Sequence, residues 1–493
     1  MKKTFLLLTI CAALTACELD ETPYSSIFTD NYYKTAGDAE GAITAVYGAL
    51  ATMYAGPGPL MFSDFSADQV YPRPVVGRDI FTLFSYDAAY SVTVSFNRAN
   101  ESPIAVWNTG YDGIVKANWV IEKVPQIPMD AARREEIVGE AYFLRAYFHW
   151  MLTKNFRDVV IKTNASRSLD EASQAISPMA DVYKQIFSDL EEAVKRLPSY
   201  SAGLVKGRAS KEAALALYAK TALYNENWPL ARQKALDVIN SGKHSLMPDV
   251  RDVFTASKED AARIETMFAF EAEAATPGRT SQIMGLYGPP GSNGIEYGPT
   301  TFGSIFAYPS FFASFDAQDK RRALMDTSYL SRTGARIPQR SITPITPRGV
   351  LVKKYQDPTG IGGSHNINIP LLRYADVLLI AAEAEARANG PTAAAYTYIN
   401  QVRKRAGLPD LTPGLSREAF VAAVLQERSW ELFSEGDRWY DLTRTNTFLQ
   451  VVPKAVNDVF PARSPQAKHR YFPIPQDEIN ANPLVKQSPE WQQ

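Results

Sequence analysis

Residues 135–150 read EEIVGEAYFLRAYFHW, and this stretch decides the fold class of the chain. Its apolar residues recur at steps of three and four, as on one face of an α-helix, and a second stripe of aromatic rings runs beside them. A helix that is apolar on two faces is buried between other helices. The stretch therefore predicts a mainly α-helical protein. Arg145 shares a face with His149, and we interpret Arg145 as a structural ion-pair partner.

Composition agrees with a folded globular protein. The chain has 493 residues, of which 45% are hydrophobic and 11% aromatic, and its formal net charge is -1. Such a chain is long enough for a large core. Because it has no basic excess and no block of like charges, the composition argues against nucleic-acid binding and against a disordered tail.

The N-terminus has the pattern of a bacterial lipoprotein signal peptide. Two lysines precede an apolar run, Phe5–Leu14, that is too short to span a bilayer. Residues 14–17, Leu-Thr-Ala-Cys, resemble a lipobox, which predicts a signal peptide at 1–16, lipidation of Cys17 and a tether at 17–23. The mature chain then has one cysteine and no internal disulfide. The alternative is an ordinary secreted protein with a chance Ala-Cys pair.

Helix pairs dominate the mature chain. Ser210–Tyr224 and Trp228–Ile239 are joined by a very short turn, and Arg373–Ala388 and Thr392–Ala406 form a second such pair. Their first helices carry alanine-rich faces, which allow close packing. These features predict a tetratricopeptide-like helical solenoid with long irregular loops and little β-structure. Further helices are predicted at Asp38–Met53, Val106–Val124, Asp181–Leu197 and Arg417–Phe433, and a short strand at Ile264–Phe270.

We expect one domain at 24–493. Its helical scaffold covers about 36–240 and 371–445, a loop-rich insertion covers about 241–370, and an extended tail covers 446–493.

Two irregular segments, Tyr54–Asn100 and Ala275–Tyr308, are rich in aromatic residues. Loops of this length are usually functional or disordered, and the aromatic content argues against disorder. Sugars present flat C–H faces with polar edges, so a sugar site needs exposed rings beside polar groups. The alternative is that the rings pack the loops onto the scaffold. The candidate ligand-binding residues are Tyr71, Arg78, Tyr86, Tyr90, Phe96, Asn97, Tyr287, Tyr297 and Phe302.

The carboxylates with glycosidase-like spacing are Glu427, Glu431 and Glu435, which lie four residues apart on a predicted helix. Neighbouring arginines would keep them ionised, which is unsuitable for a general acid, so structural ion pairing is the favoured interpretation. The nearby arginines are Arg428, Arg438 and Arg444. The four histidines have no metal-ligand spacing, and no nucleophile motif or phosphate-binding loop is found. We therefore expect no catalytic residue, no metal and no cofactor.

Several motifs together resemble one family. They are Trp107-x3-Tyr111 with Ile114 and Asn118, GEAYFLRA at 139–146, DAQDKRR at 316–322, RYAD at 373–376 with AEA at 382–384, ER-x2-EL at 427–432, EGDRWYDL at 435–442, FPIP at 472–475, Glu478-Ile479 and Asn482-Pro483. Through them the chain resembles the SusD/RagB family of surface nutrient-binding lipoproteins of Bacteroidetes. One departure is Ser488-Pro489-Glu490-Trp491, where the family often has Asn-Pro-Gly-Tyr.

The resemblance implies a fold with four tetratricopeptide-like helix pairs and a non-enzymatic function. A member captures a glycan at the outer surface of the outer membrane and passes it to a SusC-like TonB-dependent transporter. The sugar contacts lie on loops in comparable parts of the chain. Two alternatives remain, namely a protein of the same architecture that binds peptide or another nutrient, and a lipid-anchored glycoside hydrolase.

Overall fold

The structure is a computed structural model that describes residues 32–56, 58–74, 77–90, 101–168, 171, 173–341 and 349–492. Three predicted functional residues, Cys17, Phe96 and Asn97, lie outside these residues. Within the described residues no helix is both long enough and apolar enough to cross a membrane.

The described part of the chain is mainly α-helical, as the sequence predicted. In chain order its α-helices are α1 (Ala36–Ala55), α2 (Gly58–Ser66), α3 (Asp79–Leu83), α4 (Pro103–Lys123), α5 (Ala131–Phe156), α6 (Met179–Arg196), α7 (Lys211–Tyr224), α8 (Trp228–Ser241), α9 (Val250–Val253), α10 (Glu259–Ala262), α11 (Ile283–Tyr287), α12 (Pro309–Ala313), α13 (Tyr374–Asn389), α14 (Ala393–Arg405), α15 (Arg417–Glu431), α16 (Arg438–Arg444), α17 (Phe448–Val451) and α18 (Gln476–Ala481).

The strands are short and pair antiparallel in twos. They are β1 (Val70–Pro72), β2 (Thr266–Phe270), β3 (Ile305–Ala307), β4 (Met325–Asp326), β5 (Ser328–Leu330), β6 (Arg336–Pro338), β7 (Leu351–Val352) and β8 (Ile369–Arg373). Strand β1 pairs with β3, β2 with β8, β4 with β7, and β5 with β6. The β1–β3 pair places Tyr71 opposite Phe306, and so joins the two irregular segments of the sequence.

The long helices pack in sequence order, as expected for a solenoid of helix pairs. Helix α1 packs on α4, α4 on α5, α5 on α6, α6 on α7 and α7 on α8, while α13 packs on α8, α14 and α15. The α7–α8 turn is short because Glu226, two residues after the end of α7, takes a left-handed conformation, and Asn227 caps α8. The predicted solenoid of helix pairs with little β-structure is therefore confirmed.

Helix α5 is buried on both of the faces that its sequence marked as apolar. On one side it packs closely on α4 at Gly113, where an added Cβ would lie 2.2 Å from Cε2 of Phe148. The predicted structural role of Arg145 is confirmed: its Nη2 lies 2.5 Å from Oδ1 of Asp189, and its Nη1 donates to Oδ1 of Asn118 at 2.8 Å. Arg145 and Asp189 are both buried, and their ion pair joins α5 to α6.

Parts of two predictions are wrong. The segment Tyr54–Asn100 was expected to be irregular, but its described part contains α2, β1 and α3. The physical reason is that its aromatic residues are buried. The ring of Phe62, for example, packs 6.0 Å from Phe81 and 5.2 Å from Phe472 of the C-terminal tail. That tail, expected to be extended, also contains α17 and α18.

Candidate functional site

The rings predicted for ligand binding divide by burial. Tyr71, Tyr86, Tyr90, Tyr287 and Tyr297 are all buried in the core. Only Phe302 among the described candidate rings is exposed, at 45%. A ring must present a face to solvent before it can stack on a sugar. The five tyrosines therefore fit the alternative interpretation, in which the rings pack the loops onto the scaffold.

Long-range contacts explain the burial of the first-segment tyrosines. Tyr71 lies on β1, and its ring is 4.7 Å from that of Tyr308 beside β3. Tyr86 packs against the C-terminal tail, with its ring 5.4 Å from Phe472. Tyr90 donates a hydrogen bond from its hydroxyl to the carbonyl oxygen of Pro473 at 2.9 Å. Each contact joins residues more than 200 positions apart, which local sequence patterns do not reveal.

The second-segment tyrosines and Arg78 are also engaged. Tyr287 stacks on Tyr355 with ring centroids 6.1 Å apart, and Tyr297 is fully buried. Arg78 forms a bidentate pair with Glu101, with Nε 2.8 Å from Oε2 and Nη2 2.9 Å from Oε1. A ligand would meet this guanidinium only together with its carboxylate partner.

Phe302 lies on a loop that the backbone holds firmly. Its N–H donates to the carbonyl of Gly285 at 2.7 Å, and the next two N–H groups also donate to the α11 region at 2.7 Å. Gly363 lies against the ring edge, where an added Cβ would be 3.5 Å from Cζ. Ile295 and Ile361, on the same loop-rich insertion, are 72% and 60% exposed. This insertion therefore presents apolar side chains, including one aromatic ring, to solvent.

The carboxylates with glycosidase-like spacing are all paired; Glu427 and Glu431 are buried and Glu435 is half-buried. Glu431 contacts Arg405 at 2.6 Å, Arg373 at 3.0 Å and Arg321 at 3.3 Å. Burial alone would raise the pKa of Glu431, but these guanidinium groups outweigh it and hold the pKa well below its usual value. A carboxylate that stays ionised does not donate a proton, so Glu431 is unsuited to general acid catalysis.

Glu427 and Glu435 are paired as well, although α15 ends at Glu431 and Glu435 lies in the turn that follows it, not on the predicted helix. Glu427 contacts Arg321 at 2.7 Å and Arg403 at 3.1 Å, and Glu435 contacts Lys354 at 2.6 Å and Arg373 at 2.7 Å. Burial raises the pKa of Glu427 above its usual value in spite of its arginines. Its carboxyl group is fully buried, so solvent and ligands do not reach it.

The predicted ion pairing is confirmed, but its partners are different. Arg428 binds Asp376 and Asp441, Arg438 binds Asp68, and Arg444 binds Glu383 and Asp441. The cations on the glutamates come instead from four segments distant in sequence, namely Arg321, Lys354, Arg373 and the end of α14. Arg321 lies in the DAQDKRR motif and Arg373 in the RYAD motif, so these two motifs were the sequence signal for the ion pairs.

Comparison with known proteins finds matches to SusD-like proteins over most of the chain. Residues 325–491 match the sequence model of the SusD family, and residues 19–223 match the model described as "Starch-binding associating with outer membrane". A SusD-like protein of Formosa agariphila is 27% identical over 517 aligned positions, which cover 96% of this chain and 95% of the relative.

Solved structures share the fold. A laminarin-binding SusD-like protein superposes with a TM-score of 0.78 at 23% identity, covering 93% of this chain and 100% of that one. Surface glycan-binding protein A from Bacteroides thetaiotaomicron, in complex with laminarihexaose, gives a TM-score of 0.74 at 22% identity, covering 92% of this chain and 99% of that one. At these identities the likeness establishes the helical architecture.

Proposed function

Because the chain belongs to the SusD/RagB family, we propose that it is a non-catalytic glycan-binding lipoprotein of the outer membrane that delivers its ligand to a SusC-like TonB-dependent transporter. Two relatives that share the fold over nearly the whole chain are named for binding laminarin or surface glycans. Their names support a carbohydrate as the ligand class of this chain.

The exposure of Phe302 is the observation in this chain that carries the binding proposal. It is 45% exposed, while every other aromatic side chain in the described residues is buried or half-buried. Leaving an aromatic ring in water forgoes the free energy of its burial. The ring is also held on a firmly bonded loop, which limits the entropy that a ligand must overcome on binding.

We place the glycan on the surface around Phe302. A sugar's C–H face stacks on the ring, and the exposed Ile295 and Ile361 extend the apolar surface of the same insertion. Arg78, Phe96 and Asn97 remain predicted contributors from the first segment. Contacts of this kind leave much of a sugar hydrated, so we expect affinities on the order of micromolar to millimolar.

The absence of catalysis is proposed from the state of the carboxylates. A glycosidase needs one carboxyl group that donates a proton and a second that attacks or activates water, both reaching the same glycosidic bond. Glu427 and Glu431 are instead buried and Glu435 half-buried, and all three are held by arginine or lysine side chains. They serve to join segments of the fold.

Location and partner are proposed from the sequence and the family. The lipobox at 14–17 supports anchoring through Cys17, and the family description that matches residues 19–223 mentions association with the outer membrane. Several acyl chains bury enough methylene groups for stable anchoring, at about 0.8 kcal/mol each. We place the domain on the cell exterior, where a glycan is first met, beside the transporter.

A glycan array with the full-length protein in mild detergent, followed by calorimetry on the glycans that bind, tests the proposal. Phe302→Ala should weaken binding by about 1–2 kcal/mol through loss of a stacking ring and its buried area. It should leave the melting temperature unchanged, because the ring is exposed. Failure of every glycan to bind would refute glycan capture.

Two further variants serve as controls. Leu449→Ala removes another partly exposed apolar side chain, far along the sequence on α17, and should leave both binding and stability unchanged. Tyr71→Ala should lower the melting temperature because its ring is fully buried. If Phe302→Ala binds the glycan as tightly as the wild type does, the site has been placed wrongly.

A further inference from the structure

A cleft on the helical scaffold shares no lining residue with the surface around Phe302. It is formed by the C-terminal end of α5, the N-terminal end of α6, the α7–α8 turn, helix α16 and the single-turn 3₁₀ helix Ala467–Arg470. Two adjoining cavities, of about 180 and 320 Å³, share Met179, Arg470 and Tyr471 in their walls. The larger one alone falls within the usual range of small-molecule sites, roughly 300–1,000 Å³.

Lys154 lies in the wall of this cleft and forms no ion pair within the described residues. Its Nζ lies 4.2 Å from the ring centroid of Trp150 and 4.2 Å from that of Tyr440. Among the described residues it has neither a hydrogen-bond acceptor nor a carboxylate within ion-pair distance. By contrast, Lys220 lies 2.9 Å from Asp376, and Lys354 has Glu435. The two ring faces attract the ammonium group, and Asp437 acts on it from beyond ion-pair distance, but neither supplies a hydrogen-bond acceptor, so an anionic ligand would add the contact that this site lacks.

Arg470 adds a second uncompensated charge. Its Nε is buried without a hydrogen-bond partner, and no carboxylate in the described part of the chain pairs with its guanidinium. Arg444 lines the same cavity but is already bound by Glu383 and Asp441, so it adds little net charge. The acidic residues in the walls of the two cavities are both exposed: Glu226 lies on the α7–α8 turn, and Glu490 is paired with Arg157 at 3.1 Å. The cleft interior is therefore cationic.

Aromatic rings accompany these cations. Tyr471 and Trp491 line the larger cavity and are both half-buried. The Trp491 indole N–H donates to the carbonyl of Tyr471 at 3.1 Å, which fixes the two residues together. Lys468 places its Nζ 4.6 Å from the centroid of the Trp491 ring. Rings beside cations can receive both the flat face of a sugar and an anionic substituent.

We propose that this cleft binds a sugar residue that carries a carboxylate or sulfate group, so that the captured glycan is acidic. The anionic substituent pairs with Lys154 and Arg470, and the sugar ring lies against Tyr471 and Trp491. The inference rests on the proposed glycan capture and adds a second site and a ligand class to it.

The electrostatics of Lys154 agree with this assignment. Burial lowers its pKa to about 7, with Asp437 opposing the shift and Lys220 adding to it. A bound anion would stabilise the charged ammonium and so return the pKa toward its usual value. Without ligand the Lys154 amine is thus only partly protonated at neutral pH, and an anionic ligand would favour its charged form.

Calorimetry of the full-length protein in mild detergent tests the cleft with matched probes. They are an oligogalacturonate, a sulfated galactose oligosaccharide, the neutral galactose oligosaccharide of the same length, and sodium sulfate alone. The acidic sugars should bind more tightly than the neutral one. Lys154→Met and Arg470→Gln should each weaken acidic binding by about tenfold or more, as expected for loss of a charged hydrogen bond, and should leave neutral binding unchanged.

The control is Lys404→Met, which removes the same charge from an exposed position on α14 and should leave all affinities unchanged. A second measurement needs no variant. Acetic anhydride should acetylate Lys154 of the wild type, and the acidic oligosaccharide, unlike the neutral one, should protect it, as read by peptide mass spectrometry.

The outcomes separate the two proposals. Neutral glycans that bind as tightly as acidic ones, or acidic binding that survives both cleft variants, would overturn the acidic-sugar site and leave glycan capture standing. Binding of sulfate alone, with no preference for acidic sugars, would also overturn it. If no glycan binds at all, both the acidic-sugar site and the proposed function fail.

Discussion

At position 431 one carboxylate compensates three guanidinium groups. Glu431 contacts Arg405, Arg373 and Arg321, and all four side chains are buried. Other carboxylates also contact these arginines, but removing one charge from the buried network leaves their charge under-compensated in a medium that solvates it poorly. The stability of this region therefore depends on ionised Glu431.

We predict that Glu431→Gln lowers the free energy of unfolding at pH 7 by about 3–5 kcal/mol. The pKa of Glu431 in the fold is held below its usual 4.5, so its stabilising charge is fully present above that pH. As the pH falls below 4.5 and through the lowered pKa, the wild type loses the same charge. Urea unfolding at pH 7 and at steps below 4.5 should show the difference between wild type and variant shrinking in acid.

Glu427→Gln is the matched control at the residue scale. Burial raises the pKa of Glu427, so its charged form is less favoured in the fold than that of Glu431. A neutral amide at 427 should therefore cost less than one at 431. Equal losses for the two variants at pH 7, or a Glu431→Gln deficit that stays constant into acid, would contradict this account of the network.

At the scale of helices, the contact between α4 and α5 depends on a residue without a side chain. A Cβ at Gly113 would lie 2.2 Å from Cε2 and 2.6 Å from Cζ of Phe148. Gly113→Ala should therefore force the helices apart or move the ring, and lower the free energy of unfolding by about 1–3 kcal/mol in chemical denaturation.

Gly48 offers the matched control because it lies within α1, and an added Cβ there meets no atom within 4 Å. Gly48→Ala should stabilise the protein by about 0.5–1 kcal/mol, since alanine loses less backbone entropy in a helix. A second test combines Gly113→Ala with Phe148→Leu, which removes the clashing ring atoms. If Gly113→Ala is as stable as the wild type, the helix contact is looser than the structure indicates.

The elements differ in how well the sequence predicted them. The helix of residues 135–150 was predictable because its periodicity is local, and the structure extends it to Ala131–Phe156. The role of Tyr71 was not, because its burial depends on β3, more than 200 residues later. Phe302 and Tyr297 have the same sequence signature, yet one is 45% exposed and the other fully buried. The sequence shows which residues carry aromatic rings, whereas the tertiary contacts decide which of those rings are exposed.

At the scale of the whole molecule, capture and transfer require that the glycan leave intact. We expect no release of reducing ends when the purified protein is incubated with an oligosaccharide that it binds, because its clustered carboxylates are buried in ion pairs. Chromatography of the recovered sugar checks this. Hydrolysis that disappears in Glu431→Gln while binding persists would revive the glycoside hydrolase alternative.

Attachment to a membrane would fix the molecule by its N-terminus and leave the helical domain to meet ligand and transporter. We expect metabolic labelling with an alkynyl fatty acid to tag the wild type, because the lipobox presents Cys17 for acylation. Cys17→Ala should lose the label and leave the membrane fraction. Its glycan affinity should not change, because the proposed contacts lie on the domain rather than on the tether. A Cys17→Ala protein that remains labelled and membrane-bound would show that another residue or segment anchors the chain.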